Sequence, residues 1–332
     1  MKQVNVHGPG DVRVDEAPEP EAGPRDAVVR VAACGICGSD LRYVRLGGLA
    51  GPMAAPMPLG HELSGVVDSV GAEVSEWKPG DRVVLNPTAG RKMIGNGGPE
   101  GGFTPHLLVR EVGDGNLFRM PEGLPMDLAA LAEPLGVGMN AVNQSEARPG
   151  EAVVIFGAGP IGLAATATLH DRGVEDVIAV DLSARRLEIA KQLGARETID
   201  ASQQDPWPRI RQLHGESPVL GSPMAGSDVY IEASGAAAVI PQIIQHAKGG
   251  ARLAVVALHE ERPVNFLLVM MKQLTIRGAM EYPDDYNDAI ELLARRDLSP
   301  MISHRFPLER FEEAFAVAKD PRAGGKVLIE MT

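Results

Sequence analysis

Val153-Val154-Ile155-Phe156-Gly157-Ala158-Gly159-Pro160-Ile161-Gly162 is the stretch on which the reading of this chain turns. Apolar residues in a row, without alternation, read as a strand buried on both faces. The glycines break that strand, and a helical texture runs from Pro160 to about His170. At this spacing each glycine has its own task. Gly157 permits a tight turn, Gly159 lets the backbone approach a pyrophosphate, and Gly162 lets the helix pack on the strand. The helix N-terminus that begins at Pro160 and Ile161 attracts the phosphate charge. Asp181 closes the next apolar run, 177–180, where a carboxylate grips both ribose hydroxyls. It would repel a 2′-phosphate, so the predicted coenzyme is NAD rather than NADP. Arg185 and Arg186 follow; Arg186 joins Gly157, Gly159, Pro160, Ile161, Gly162 and Asp181 as a coenzyme-binding candidate.

Downstream of this turn, helices predicted over 184–193 and 236–246 alternate with strands predicted over 229–231, 253–256 and 274–277. That alternation signals a doubly wound parallel sheet covered on both faces, a Rossmann unit. Upstream, the first ~130 residues read as short strands (27–32, 63–70, 82–85 and 103–109) split by Gly and Pro, the texture of a small antiparallel barrel. The segment 90–102, with six glycines, reads as an exposed loop. After Tyr282 come two helices, 284–294 and 308–318, and a last strand, 326–330.

Composition narrows the function classes. The 332 residues include 32 Lys and Arg against 44 Asp and Glu, a formal charge of −12 that speaks for solubility. No basic run resembles a phosphate-binding stripe, so no nucleic-acid partner is expected. The longest apolar run, 266–271, is far short of the ~18 residues of a membrane span. The start carries no signal-peptide core, and 2 cysteines supply no disulfide framework. A cytoplasmic enzyme without a membrane partner is expected.

Cys34-Gly35-Ile36-Cys37 is the one cysteine pair, open to a redox reading or to half of a four-cysteine zinc site. No second pair exists for the latter, and the barrel-like surroundings lack the strand and helix context of the former. In Gly60-His61-Glu62-Leu63-Ser64-Gly65, Gly65 stands where a helical protease motif needs a second histidine. Ala132-Glu133-Pro134-Leu135 puts a carboxylate inside an apolar stretch, costly unless something positive meets it. A zinc ion would serve, with Cys37 as thiolate, His61 as neutral imidazole and one or two of the carboxylates Glu62 and Glu133.

Taken together, Cys34–Asp40, Gly60-His61-Glu62, Ala132–Leu135, Gly157–Gly162 and His304-Arg305-Phe306-Pro307-Leu308 resemble the zinc-containing medium-chain alcohol dehydrogenases over nearly the whole chain. The Glu-Pro-Leu segment is similar to the sorbitol, threonine and idonate dehydrogenase branch. The resemblance implies a discontinuous GroES-like catalytic barrel, residues 1–137 and 281–332, with a Rossmann domain, 138–280, inserted. It implies Cys37 and His61 as zinc ligands, Glu62 as a direct or alternating third ligand, and Glu133 as a ligand or water-mediated neighbour. Cys34 matches a position that is not a ligand, and Asp40 one that orients the zinc histidine. The resemblance also makes Ser39 the candidate to take the hydroxyl proton, with Glu62 and Glu133 counted beside it as catalytic candidates; a turn serine hydrogen-bonded to backbone is its competing reading. Tyr43 aligns with a substrate-pocket aromatic of the polyol branch, against the competing reading of a strand residue packing on the barrel.

Three departures from the family pattern stand out. The four-cysteine structural zinc lobe is missing, so one catalytic zinc per chain is expected and no structural zinc. Arg42 stands where a relay histidine is common, and Glu281 where the polyol branch often has arginine; both are substrate-site candidates, and a compensating ion pair between them is conceivable. The implied reaction is NAD-linked oxidation of a small-molecule secondary alcohol (a polyol, sugar acid or related diol) to a ketone. The strand at 274–277 is similar to the family's dimerising edge, which implies a homodimer or homotetramer. A zinc-free quinone or enoyl-type reductase of the same superfamily, and a catalytically silent NAD-binding redox sensor, are the alternatives.

Overall fold

The computed structural model describes every residue except 90–92, 114, 220, 262 and 332. It divides into two compact units: Met1–Glu133 with Tyr286–Asp320 and Lys326–Thr332, and Pro134–Asp285 with Pro321–Gly325. Glu133 thereby ends the first unit, and Glu281 belongs to the second. The divisions fall near, but not at, the 137/138 and 280/281 boundaries expected from the sequence.

In the first unit the long strand Ala27–Gly35 pairs antiparallel with Glu62–Val70, His106–Val109 and Lys326–Glu330. The sheet continues through Arg82–Leu85 to Leu117–Arg119 on one side and through Lys326–Glu330 to Ile302–Pro307 on the other. Register shifts at Val28/Val29 and Val31/Ala33 mark bulges, which bend and coil a strand as a barrel wall requires. Its interior is one apolar cluster, with Val29, Val31, Leu63, Val67 and Phe103 at its centre. The expected barrel is therefore present, with one departure from all-antiparallel pairing: Ile302–Pro307 runs parallel to Lys326–Glu330. A helix over Gly38–Leu46, absent from the sequence reading, follows the first strand of this wall.

The predicted exposed loop at 90–102 is different. Its Gly90, Arg91 and Lys92 lie outside the described residues, but Ile94, Gly95, Gly101 and Gly102 are buried. Here glycine supplies close approach rather than freedom. A Cβ on Gly95 would overlap the Gly60 carbonyl, and one on Gly101 would lie 2.8 Å from the Leu59 nitrogen. Gly95 and Gly101 thus lie against the segment that carries His61.

In the second unit, six parallel strands run in the order Glu197–Asp200, Val177–Asp181, Val153–Phe156, Val229–Glu232, Arg252–Val255, Thr275–Gly278. Adjacent side chains of one strand serve opposite faces: Val154 and Phe156 join one core with Trp207 and Tyr230, Val153 and Ile155 another with Leu169 and Ile231. That two-sided burial is why the central strands lack polar alternation. Pro160–Asp171, Ala184–Gln192 and Val239–His246 are helices close to the predicted bounds. Pro206–His214, capped by the Asp205 carboxylate, and the hairpin Glu216–Val219/Ser222–Ala225 were not foreseen. Among the described residues, no helix is long and apolar enough to cross a membrane.

Candidate metal centre and coenzyme site

Cys37 is the N-cap of the helix Gly38–Leu46, and its sulfur accepts the backbone N–H of Asp40. The sulfur thus sits at the positive end of the helix dipole. The Asp40 carboxylate returns the bond, accepting the Cys37 N–H at 2.8 Å. His61 enters the strand Glu62–Val70 after Gly60, whose φ is +93° and where a Cβ would lie only 2.7 Å from the Phe103 nitrogen. The two segments converge: Cys37, His61 and Glu62 offer ligand atoms that all lie within 4.8 Å of one another. Among the described residues this is the one such group.

The surroundings fit an ion. His61 and Asp40 are both buried, and Nδ1 of one faces Oδ1 of the other at 3.6 Å. Neither atom has a hydrogen-bond partner, nor has Oε2 of Glu62. An imidazole whose other nitrogen binds a metal would carry its proton on Nδ1, toward Asp40. Burial alone would lower the His61 pKa, but Asp40, the Cys37 sulfur and Glu133 outweigh it and push it well up. Burial pushes the Asp40 carboxyl up, with His61 partly opposing. So much negative charge around a buried imidazole is the environment a divalent cation relieves. Thiolate, imidazole and carboxylate are a zinc donor set.

Each carboxylate has a distinct place. Glu62 is fully buried, and its Oε1 pairs with Nζ of the equally buried Lys326 at 2.5 Å. Lys326 also donates to the Ile36 carbonyl at 3.2 Å. Glu62 can therefore turn only its Oε2 toward a metal. Glu133 lies near the start of the helix Ala132–Ser145 and acts on His61 through its charge, but it is outside the ligand-distance group. Cys34 is buried, and burial raises its thiol pKa well above the ordinary range, as for a core residue. The Lys326 clamp is the element that sequence reasoning missed; only the buried position of a lysine on a barrel strand would have signalled it.

Ser39 Oγ lies 3.4 Å from Nε2 of His61. One helical turn on, the nearly buried Tyr43 hydroxyl donates to Oδ1 of Asn96 at 3.1 Å. Burial raises the Tyr43 pKa, against a lowering contact from Ser39, so the phenol keeps its proton. Asn96, which follows Gly95, was not singled out from sequence. Arg42 is solvent-exposed. Glu281, also exposed, has a φ of +63°, the left-handed region.

In the second unit the glycines separate cleanly. A Cβ on Gly157 (φ +96°) would lie 2.7 Å from the Ser234 backbone, and one on Gly162 would overlap the Gly157 carbonyl. Both are demanded by the protein itself. Gly159 is not: its nearest neighbour would be the Arg186 guanidinium at 3.9 Å. Open space over the N-cap of the helix Pro160–Asp171, beside a cation, is a cradle for an anion. Arg186 is held there by its Nε bond to the Gly324 carbonyl at 2.9 Å. Asp181 accepts the N–H of Ala158 at 2.7 Å and that of Ser183 at 2.8 Å, so its carboxylate is fixed at the rim of the turn. Beyond it, Phe156, Val180, Ala201, Asp205 and Gln242 help to line a cavity of about 560 Å³, room for a coenzyme's adenosine end.

These features agree with what the chain is similar to. Residues 23–122 match the alcohol dehydrogenase GroES-like domain, and residues 160–295 match the zinc-binding dehydrogenase family. Human (Homo sapiens) sorbitol dehydrogenase is 35% identical over 336 residues, covering 95% of this chain and 91% of that protein. Among solved structures, 2R,3R-butanediol dehydrogenase from Bacillus subtilis superposes with a TM-score of 0.86 at 29% identity, covering 99% of each chain. Galactitol-1-phosphate dehydrogenase from Escherichia coli does so at 0.84 and 29%, over 99% of this chain and 100% of that one. With a thiolate–imidazole–carboxylate pocket in its barrel and a pyrophosphate turn in its parallel sheet, the chain belongs to the zinc-containing medium-chain alcohol dehydrogenases.

Proposed function

We propose that this protein is a zinc-dependent, NAD-linked dehydrogenase that oxidises a secondary alcohol, of the polyol or related diol class, to a ketone. The observation that carries the reading is the convergence of Cys37, His61 and Glu62 within 4.8 Å, in a chain that also bears the Gly157–Gly162 turn. When bound, zinc supplies Lewis acidity toward an alcohol oxygen and NAD supplies the hydride acceptor. The protein's share is orientation and proton handling. Cys37 and His61 hold the ion, Asp40 steers the imidazole, and Lys326 sets how far Glu62 can swing. Glu133 stands behind as a water-mediated neighbour. Ser39 takes the hydroxyl proton and Tyr43 lies next along the path. Asp181 grips the ribose hydroxyls and disfavours a 2′-phosphate, which is the basis for NAD over NADP.

The polyol class is supported by what the relatives are named for; in this reading the hydrogen-bonded Tyr43–Asn96 pair serves a second hydroxyl of the substrate. The test is a panel of polyols, sugar acids, amino alcohols and diols with NAD and NADP in parallel. NAD reduction by a polyol or diol, lost on chelation and restored by zinc, supports the reading. Turnover undiminished in metal-free protein, or none on any alcohol, defeats it.

A homodimer or homotetramer belongs to the same reading. Thr275–Gly278 is an edge strand whose residues are all exposed, and Phe266, Met270 and Ile276 are exposed apolar groups on and near it. A cytoplasmic setting is supported by two unpaired thiols.

A further inference from the structure

Glu232 is fully buried at the carboxyl end of the strand Val229–Glu232, and the reaction above makes no use of it. Its place is informative. Strand order reverses between Val153–Phe156 and Val229–Glu232, and ligands of such sheets bind outside the carboxyl ends at that reversal. Asp181 marks the adenosine side of the reversal. The nicotinamide half of a dinucleotide then falls to the other side, over the ends of Val229–Glu232 and Arg252–Val255. Glu232 sits there, in register with Phe156 on one flank and Val255 on the other.

One carboxylate oxygen accepts the N–H groups of Ser234 at 2.9 Å and Gly235 at 3.1 Å, together with the Ser234 hydroxyl. The other lies 2.5 Å from Nε2 of His259, whose side chain is only 15% exposed. These partners belong to two loops, one after each strand. The loops lie close together, since a Cβ on Gly235 would come within 3.2 Å of the Leu258 carbonyl. The first loop also presses on the pyrophosphate turn through the contact of Ser234 with Gly157. A buried carboxylate is stable only while its oxygens are satisfied. Without His259, one oxygen loses its strongest donor and the second loop loses its tie.

We propose that His259 is a positioning residue for the nicotinamide ring of NAD, acting through Glu232 to lock the two loops at that end of the crevice. The proposal rests on the NAD reading above. The experiment compares calorimetric titrations of NADH and ADP-ribose into the wild-type protein, His259→Ala and His259→Gln. His259→Ala is expected to weaken NADH about tenfold while ADP-ribose, which keeps both riboses and lacks only the nicotinamide ring, stays within about twofold. His259→Gln keeps an N–H donor and recovers most of the loss. The coenzyme-free His259→Ala protein melts below wild type, because buried Glu232 loses a partner, and His259→Gln recovers most of that loss as well, so the readout that decides is the difference between the two ligands. Unchanged NADH affinity in His259→Ala, or parallel weakening of both ligands, overturns the proposal while leaving the NAD reading intact. A wild-type protein that binds neither ligand overturns both.

Discussion

Around Cys37 and His61 the specific groups are side chains, most of them ionisable and nearly all buried. Around Gly157 they are missing side chains: two glycines demanded by backbone contacts and a third, Gly159, that leaves room. The metal pocket stores its information as charge and the coenzyme turn as space. The two should fail differently. Loss of a charge partner leaves the opposite charge buried and uncompensated. An added methyl group does harm only where it meets atoms, whether the protein's own or a ligand's.

The largest effect is expected at the ion itself. Cys37→Ser should cut kcat/KM about a thousandfold or more, with zinc lost in elemental analysis, since several kcal/mol of charge stabilisation go with the metal. Near wild-type turnover in a zinc-free Cys37→Ser protein would show that the pocket does not work through an ion. Next is Lys326→Met, which strands Glu62 in the barrel and should cost about 3–5 kcal/mol in urea unfolding. Adding Glu62→Gln should restore much of that; failure to do so would mean that Lys326 acts by packing rather than by charge.

In the coenzyme turn, Gly162→Ala should destabilise by about 1–3 kcal/mol, because the new methyl has no room against the Gly157 carbonyl. Gly159→Ala should unfold within about 0.5 kcal/mol of wild type yet bind NADH at least about tenfold more weakly. Equal behaviour of the two variants in both assays would erase the distinction between structural and ligand-facing glycines.

A smaller, pH-dependent effect sharpens the contrast from within the second unit. His214 donates or accepts at both ring nitrogens, toward Asp176 at 3.0 Å and Ser227 at 2.8 Å, with no solvent exposure of its side chain. Burial lowers its pKa, outweighing Asp176. The folded chain therefore binds fewer protons here than the unfolded chain. Its contribution to stability is fully present above the ordinary histidine value of ~6.5 and is lost as pH falls through the lowered folded value. The urea midpoint should drop between about pH 7.5 and pH 5, and His214→Gln should flatten that slope. Smallest of all, Asn96→Leu should raise KM a few-fold for a vicinal polyol and leave a simple secondary alcohol unaffected, about 1 kcal/mol for one hydrogen bond. An equal rise for both substrates would place Asn96 in loop support only.

The coenzyme half was the more legible in sequence. Gly157, Gly159, Gly162 and Asp181 lie within one strand–turn–helix–strand segment, where local backbone geometry sets the spacing. The predicted strand 229–231 and the helix from Pro160 to about His170 match the observed Val229–Glu232 and Pro160–Asp171 closely. The metal half was legible as a set of residue types but not as an arrangement. Cys37 and His61 were found, yet the division of labour between Glu62 and Glu133 was left open. The fold places Glu62 within ligand distance and Glu133 outside it. Within the segment expected to be an exposed loop, Met93 and Pro99 are exposed but Ile94, Gly95, Gly101 and Gly102 are buried, because glycine signals both turns and close packing and composition cannot separate the two.

By itself, the sequence determined what depends on neighbours along the chain: strand and helix periodicity, the pyrophosphate turn, the residue types able to bind a metal. Tertiary structure alone decided which charge meets which. Lys326 reaches Glu62 across 264 residues, Asn96 reaches Tyr43 across 53, and His259 reaches Glu232 across 27. Such pairings depend on strand register and on how loops close, and the free energy of a buried charge depends on the few ångströms to its partner.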